Sequence, residues 1–384
     1  RFLDDERVCS DLQFFLDNNV KQVKFVDRTF NCNKRYAMLI WGYLIKNDNG
    51  VTNFHFEISA DILDDDMLCL LKTARAGLFQ FEIGVQSTND LTLSEIQRKT
   101  NLDKLFNKVI EIKSFGNIHQ HLDLIAGLPF EDYNVFKNSF NDVFSLYPEQ
   151  FQLGFLKLLK GSGLRENADK YGIVYKENAP YEVLFTNYID YKTMCFIKNI
   201  EELVEIYYNS GKAINTLRYL ISFYETPFEL FEAFVKYWDN NDLFSVSHSK
   251  MNLYKILFEF GGIIRSVDAT ALREIIKFDI LLNDNIKSLP DWLASNTKNI
   301  QNIQKDFYSN PENIQKYLSH LSGYNSKQLA RMCYLAEFEV DMQKAIESDF
   351  KEVVIIANTT TFILIDYYSK NDLVYKSSYY FLDI

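Results

Sequence analysis

The first half of the chain alternates short apolar strand patterns with stretches whose apolar positions recur at helical spacing. Each strand pattern leads into a helical pattern after a short connection. The strand patterns cover residues 22–27, 53–58, 78–85, 118–126 and 150–159. Because each crossover helix returns the chain to the same end of the sheet, these strands are expected to be parallel. The pattern therefore predicts an α/β fold of the barrel type.

The pattern changes after about residue 180. Amphipathic stretches predict helices there, and strand patterns separated by turn residues return near the C-terminus. The helical stretches cover 187–220, 227–238, 251–264 and 270–282, and the late strand patterns cover 352–357, 361–366 and 375–381. A chain of 384 residues exceeds one ordinary core. We therefore predict a partial barrel over 1–180, a mainly helical domain over 181–345, and C-terminal β-strands over 346–384 that pack on it.

The composition argues against several classes of protein. A formal net charge of -11 is unlike the broad basic surface that binds DNA or RNA. The five cysteines are widely spaced and form no CxxC group, which is typical of reduced thiols rather than of disulfides or a zinc site. No apolar run reaches membrane-spanning length, and no signal peptide is recognisable. We expect a cytoplasmic protein that binds neither DNA nor membranes.

A single carboxylate on an apolar strand is the strongest chemical signal. Asp123 lies within 118–126, and the turn Gly127-Leu128-Pro129 follows it. Burying a lone acid is costly unless something uses it, although Asp123 alone could also be a structural acid in a salt bridge. In barrel-type folds the site lies at the C-terminal ends of the strands. The polar residues at or just past those ends are Asp27, Arg28, Glu57, Gln86, Ser87 and Asp123.

The third strand-helix unit adds groups that suit a nucleoside carrying an amino acid. Gly84 lets a ligand approach the backbone closely, and the Gln86 amide beside it both donates and accepts hydrogen bonds. Arg98 offers a planar fork for a carboxylate, although an arginine on a helix is often simply at the surface. Asp123 suits a pair of ribose hydroxyls. Together these groups are typical of a site for an amino-acid nucleoside.

The order of these motifs resembles the radical S-adenosylmethionine (SAM) superfamily. The resemblance rests on residues 25–31 (FVDRTFN), Glu57, residues 84–87 (GVQS), Arg98 and residues 123–129 (DLIAGLP), and it covers roughly the first half of the chain. These segments are similar to the oxygen-independent coproporphyrinogen oxidase, methylthiotransferase and cobalamin-binding branches. The resemblance implies a TIM-like (β/α)6 barrel.

The resemblance also implies a role for each motif around SAM. Residues 27–31 would meet the methionine end, Gln86 and Arg98 the ribose and carboxylate region, Asp123 a ribose, and the Gly127 turn the adenine side. The cofactor-binding residues implied in this way are Asp27, Arg28, Thr29, Asn31, Glu57, Gly84, Gln86, Ser87, Arg98, Asp123, Ile125 and Gly127. No catalytic residue is assigned.

One departure from the superfamily concerns its iron–sulfur cluster. Members hold a [4Fe-4S] cluster with a CxxxCxxC loop after the first strand, and this sequence has no such loop. We expect the chain to be a piece that lacks the first barrel strand and the cluster loop. The resemblance implies SAM and, in the intact protein, a [4Fe-4S] cluster, with cobalamin as a further candidate. It also implies an electron donor such as flavodoxin or ferredoxin.

The implied activity is that of a radical SAM enzyme, an oxidoreductase-like class. The intact form would cleave SAM to a 5′-deoxyadenosyl radical that abstracts hydrogen from an unknown substrate, and the chain as given is expected to be inactive. The alternative is a protein without a cluster that binds SAM or a partner without turnover. A barrel hydrolase or lyase would need a nucleophile–base pair or metal ligands. His55, His119, His121 and Cys32 fit core or solvated positions better than such a role.

Overall fold

The structure is a computed structural model that describes residues 3–286, 288–293, 300–356, 360–370 and 376–382. The chain divides into two compact units, Arg1–Val204 and Glu205–Ile384. The three-domain division at residues 180 and 345 stays a prediction. Within the described ranges, no helix combines the length and the apolar character needed to cross a membrane.

The first unit is built on a parallel sheet whose strands lie side by side in sequence order. The strands are β1 (Gln22–Lys24), β2 (Asn53–Ile58), β3 (Phe79–Gln86), β4 (Ile118–Ala126) and β5 (Gln150–Phe155). Every adjacent pair is parallel. A parallel sheet in sequential order, with helices between its strands, is the arrangement of a barrel segment. The predicted partial TIM-like α/β fold is therefore confirmed.

The helices of the first unit connect or flank these strands, and several begin where the sequence supplies capping side chains. They are α1 (Asp5–Asp17), α2 (Lys34–Lys46), α3 (Asp65–Leu71), α4 (Asp90–Glu95), α5 (Leu102–Phe115), α6 (Tyr133–Phe144), α7 (Gly163–Glu166) and α8 (Tyr191–Leu203). The side chains of Asn33, Asp64 and Asp132 accept hydrogen bonds from backbone N–H groups in the first turns of α2, α3 and α6. Such caps satisfy donors that have no partner inside a helix. An antiparallel hairpin of β6 (Val174–Tyr175) and β7 (Val183–Phe185) follows α7.

The two faces of the parallel sheet differ in chemistry. One face carries large, fully buried apolar side chains, among them Phe54, Phe56, Phe79, Phe81 and Phe151. Because successive side chains of a strand alternate between faces, the intervening residues share the other face, which is mostly polar. That face includes Lys24, His55, Glu57, Gln80, Glu82, His121, Asp123 and Gln152. Parallel sheets usually bury apolar side chains on both faces, so the polar face of this sheet is suited to line a cavity.

The second unit is mainly helical and ends in a small antiparallel sheet. Its helices are α9 (Ile214–Ile221), α10 (Pro227–Asn240), α11 (Lys250–Ile263), α12 (Ala269–Asn283), α13 (Ile300–Ser309), α14 (Pro311–Tyr317), α15 (Ser326–Met332) and α16 (Met342–Glu347). The sheet consists of β8 (Cys333–Phe338), β9 (Thr361–Lys370) and β10 (Ser377–Leu382), with β9 in the middle. The strand patterns at 361–366 and 375–381 fall in β9 and β10, apart from Lys376, which precedes β10, and residue 375, which lies outside the described residues.

The strands of this sheet differ from the prediction in two places. Strand β8 lies within a stretch expected to be mainly helical; most of its side chains are buried on both faces, so they leave no alternating pattern. The strand expected at 352–357 is absent from the described residues 352–356, where Ile355 forms only an isolated bridge with Val340. Val354 and Ile355 are 43% and 47% exposed, so this apolar run is not part of a packed sheet. Residue 357 lies outside the described residues.

Candidate functional site

A cavity of about 740 Å³ lies at the C-terminal ends of the parallel strands. Its wall takes residues from β2 to β5, from the loop after β1, and from the segment 96–100 between α4 and α5. A volume of this size suits a small-molecule ligand or cofactor. The predicted site residues that line it are Arg28, Thr29, Glu57, Gly84, Gln86, Arg98, Asp123 and Ile125. The fold thus brings most of the predicted set together.

The remaining predicted residues do not line the cavity: Asp27, Asn31, Ser87 and Gly127. Asp27 is exposed in the loop after β1. Asn31 is buried, donates to the Ser59 carbonyl at 2.8 Å and accepts from the Ser59 N–H at 2.9 Å. Gly127 has a φ of +92°, and a Cβ there would lie 3.1 Å from Met194 Cε. Asn31 and Gly127 therefore shape the backbone near the cavity, while their contact with a cofactor stays a prediction.

A backbone irregularity at the end of β3 presents Gln86 to the cavity. The pairing of β3 with β4 shifts register between Gly84 and Gln86, and Gln86 has a φ of +73°. A Cβ on Gly84 would overlap the Gln86 side-chain amide, so this side chain lies against the glycine. Arg98 donates from Nη2 to the Gly84 carbonyl. Strained non-glycine backbone of this kind is found more often at functional sites than elsewhere.

Asp123 and Arg98 carry buried polar atoms whose hydrogen-bonding capacity is unused. Within the described residues, neither Asp123 Oδ1 nor Arg98 Nε has a hydrogen-bond partner, although both atoms are buried. Burial, followed by the charges of Glu82 and Glu57, raises the pKa of Asp123 from 3.8 to about 8. Buried polar groups normally have partners. Both atoms belong to residues of the cavity wall, so a bound ligand could supply the missing partners.

A second carboxylate of the wall, that of Glu82, has a lowered rather than a raised pKa. Glu82 Oε2 lies 3.0 Å from His55 Nε2 and 2.9 Å from Lys24 Nζ. The hydrogen bond from His55, and then that from Lys24, lowers the pKa of Glu82 to about 2 despite its burial. Glu82 is therefore ionised at neutral pH. Two acids of one cavity thus differ in protonation state, a separation that is common at functional sites.

Gln80 lies between two histidines of the polar face, His55 and His121. Gln80 Nε2 lies 2.9 Å from His121 Nε2 and 3.5 Å from His55 Nδ1. The rings of His119 and His121 are 4.8 Å apart. Burial, and then the neighbouring histidines, lower the pKa of His121 to about 3, so its ring is neutral at physiological pH. His55, His119 and His121 are not among the residues that line the cavity.

Sequence reasoning missed Glu131, which connects the loops that follow β3 and β4. Its side chain is fully buried, and Oε1 accepts hydrogen bonds from Ser87 Oγ at 2.5 Å and from Ser139 Oγ at 3.3 Å. Burial raises the pKa of Glu131 from 4.5 to about 8. Ser87 directly follows Gln86, the last residue of β3, so the hydrogen bond to Glu131 holds the end of this strand against the loop after β4. The only signal in the sequence was an acid close behind the Gly-Leu-Pro turn.

The described residues do not fit an iron–sulfur cluster. Among them, no group of three or more His, Cys, Asp or Glu side chains is arranged to hold a metal ion. The five cysteines all lie in the described ranges and are free thiols. Three thiolates would be needed to hold a [4Fe-4S] cluster with one open iron. We therefore assign no residue of this chain to the cluster.

Several solved structures are similar to this chain. The radical SAM methyltransferase TsrM from Kitasatospora setae, with cobalamin and a [4Fe-4S] cluster bound, matches 46% of this chain and 37% of its own, at 13% identity and a TM-score of 0.39. The radical SAM enzyme HemN, coproporphyrinogen III oxidase from Escherichia coli, matches 41% and 39%, at 18% identity and a TM-score of 0.32. Elp3 from Methanocaldococcus infernus, with an N-terminal deletion, matches 43% and 44%, at 12% identity and a TM-score of 0.32.

The chain spans less than half the length of each of these structures. A family model described as "Protein of unknown function (DUF4080)" matches residues 169–357. No curated protein matches the chain by sequence.

Proposed function

We propose that the first unit binds SAM and that the chain is part of a radical SAM enzyme. The observation that supports this most strongly is the pair of unused buried groups, Asp123 Oδ1 and Arg98 Nε, on residues of one cavity at the strand ends. SAM offers a ribose diol and a carboxylate, which are the partners that an acid and a guanidinium need.

The remaining wall is also compatible with SAM. The Gln86 amide, which lies against Gly84, can donate to and accept from the ribose or the amino-acid portion. At about 740 Å³, the cavity lies within the usual range for cofactor sites. The proposed task of these residues is to orient the cofactor and to replace water around it, while the difficult chemistry belongs to the cofactor.

The proposal extends to catalysis only for a form of the protein that holds a cluster. There, one electron would cleave SAM to methionine and a 5′-deoxyadenosyl radical, which would abstract a hydrogen atom from the substrate. An electron donor such as flavodoxin or ferredoxin belongs to this proposal. Cobalamin, which the matched TsrM structure contains, is a further candidate cofactor, although we assign no residue of this chain to it.

The first test is SAM binding by the full chain, measured by isothermal titration calorimetry. Asp123→Asn and Arg98→Met should each raise the dissociation constant of SAM by about tenfold, since the first removes the carboxyl group and the second the guanidinium group proposed to bind the ligand. Asp48→Asn and Arg75→Met are matched controls: these residues form a half-buried ion pair of 2.7 Å that does not line the cavity. Their affinity for SAM should equal that of the wild type.

Failure of SAM to bind, or equal loss in cavity variants and controls, would refute the proposed site. The second candidate is a protein that binds SAM without turnover, which is favoured by the lack of a metal-ligating group among the described residues. Anaerobic iron–sulfur reconstitution of a form of the protein that holds a cluster, followed by reduction, separates the two. Formation of 5′-deoxyadenosine supports the enzyme, whereas SAM binding without cleavage in a cluster-loaded protein supports the binding protein.

A further inference from the structure

The cavity wall is rich in positive charge, although the chain as a whole is acidic. Arg28, Arg98, Lys99 and Lys157 all line the cavity, in a chain with a formal net charge of -11. Arg28 follows β1, Lys99 follows α4 and Lys157 follows β5, so these cations converge from separate loops. A concave site whose charge is opposite to that of its surroundings concentrates ligands of the complementary charge.

Three of these cations have no partner of opposite charge. Within the described ranges, Arg28, Lys99 and Lys157 form no ion pair. By contrast, Lys170, which does not line the cavity, lies 2.6 Å from Glu95. These three cations of the cavity wall are therefore available to a ligand.

The acids of the same wall do not cancel this charge. Glu57 and Glu82 lie 3.7 and 2.9 Å from Lys24 Nζ and are thus balanced in part by a cation that does not line the cavity. Burial raises the pKa of Asp123 to about 8, so this group is mostly uncharged at neutral pH. SAM itself carries a sulfonium, an ammonium and one carboxylate. Bound SAM would therefore add a net positive charge.

We infer that the cavity takes a small anionic substrate beside SAM, a molecule with two or more carboxylate or phosphate groups, held by Arg28, Lys99 and Lys157. That this anion is a substrate rests on the proposed function, whereas the anion site itself does not require SAM. A cavity of about 740 Å³ admits a small molecule. The excess of acidic residues elsewhere would repel a long polyanion such as a nucleic acid. A small anion is therefore favoured over a polynucleotide.

The test measures binding of two anions to the full chain by calorimetry, with and without SAM. Citrate represents the carboxylates and inorganic pyrophosphate the phosphates, so the tighter of the two identifies the group that is recognised. The variants are Lys99→Gln and Lys157→Gln, singly and together. The matched controls are Lys104→Gln and Lys160→Gln, exposed lysines close in sequence that do not line the cavity. Circular dichroism checks that each variant is folded.

Each cavity variant should weaken the tighter anion by about three- to fivefold and the double variant by about tenfold. The controls should match the wild type, all variants should bind SAM equally, and SAM should tighten anion binding. Equal anion affinity in all proteins overturns the inference. SAM binding without anion binding also overturns it and leaves the proposed function intact, whereas anion binding without SAM binding supports the anion site and refutes the proposed function. A short single-stranded oligonucleotide that binds more tightly through the same lysines overturns the small-molecule assignment.

Discussion

Asp123→Asn should make the folded chain more stable at alkaline pH while weakening ligand binding. The pKa of Asp123 is raised from 3.8 to about 8, first by burial and then by the charges of Glu82 and Glu57. Between these pH values the folded state keeps a proton that the unfolded state has released. The stability that the protonated group contributes is complete below pH 3.8 and is lost as the pH rises towards 8. Asparagine does not titrate, so the variant avoids this loss.

The magnitude follows from the size of the shift. Each pKa unit corresponds to about 1.4 kcal/mol. From about pH 5 to pH 8, Asp123 should therefore cost the wild-type chain about 4 kcal/mol of unfolding free energy, and the variant should be spared this cost. The effect is large compared with a typical substitution. The variant would thus gain stability while it loses affinity for SAM, because groups that bind ligands are often unfavourable for stability.

Urea unfolding at several pH values between about 5 and 8 measures this effect. The quantity to compare is the unfolding free energy of the variant minus that of the wild type, which cancels the titration of other groups. This difference should increase with pH by about 4 kcal/mol. A difference that stays constant within about 1 kcal/mol would show that Asp123 ionises as it does in water. The cavity would then be too solvated for the site described above.

Three further substitutions test the environment of the cavity. Gly84→Ala should displace the Gln86 amide, since a Cβ would overlap it; calorimetry should show SAM affinity falling by about three- to tenfold while the melting temperature changes little. Asn31→Ala should cost about 2 kcal/mol of stability in urea unfolding, because it removes two hydrogen bonds to the Ser59 backbone; an unchanged midpoint would contradict this. Glu131→Gln should gain stability relative to the wild type as the pH rises from 4.5 towards 8, since burial raises the pKa of Glu131 to about 8; a pH-independent difference in urea unfolding would refute it.

The bounds of a strand could be predicted from the sequence where its hydrophobic pattern and its hydrogen-bonded pairing end at the same residue. Strands β2 and β4 have the predicted bounds, whereas β1 ends at Lys24 and β5 at Phe155. Beyond Lys24 the backbone keeps one bond, from the Phe25 N–H to the His55 carbonyl, and Val26 is 88% exposed. Apolar residues thus continue after pairing has stopped, and a sequence pattern reports side chains rather than hydrogen-bond partners.

The site was predictable only in part for a related reason. Polar residues near strand ends can be recognised in a sequence, but their partners cannot. The contact of Asn31 with a cofactor stays a prediction, whereas the bonds of its amide to the backbone of Ser59 could not be read from the sequence. Glu131 was missed because it lies in a loop beyond β4, and its closer-bonded partner, Ser87, is 44 residues away in sequence. Such long-range bonds depend on the packing of the loops, which no local pattern encodes.

The contrast between the aromatic and the polar face of the parallel sheet also specifies the register of its strands during folding. If β3 paired one residue out of register, Phe79 and Phe81 would face the cavity, and Gln80 and Glu82 would face the apolar side of the sheet. Both changes would be unfavourable, because aromatic rings would be exposed to water and polar groups would be buried without hydrogen-bond partners. The polar residues that line the cavity therefore also disfavour incorrect strand register. Insertions and deletions in this protein should accordingly be tolerated in the loops and eliminated from the central strands.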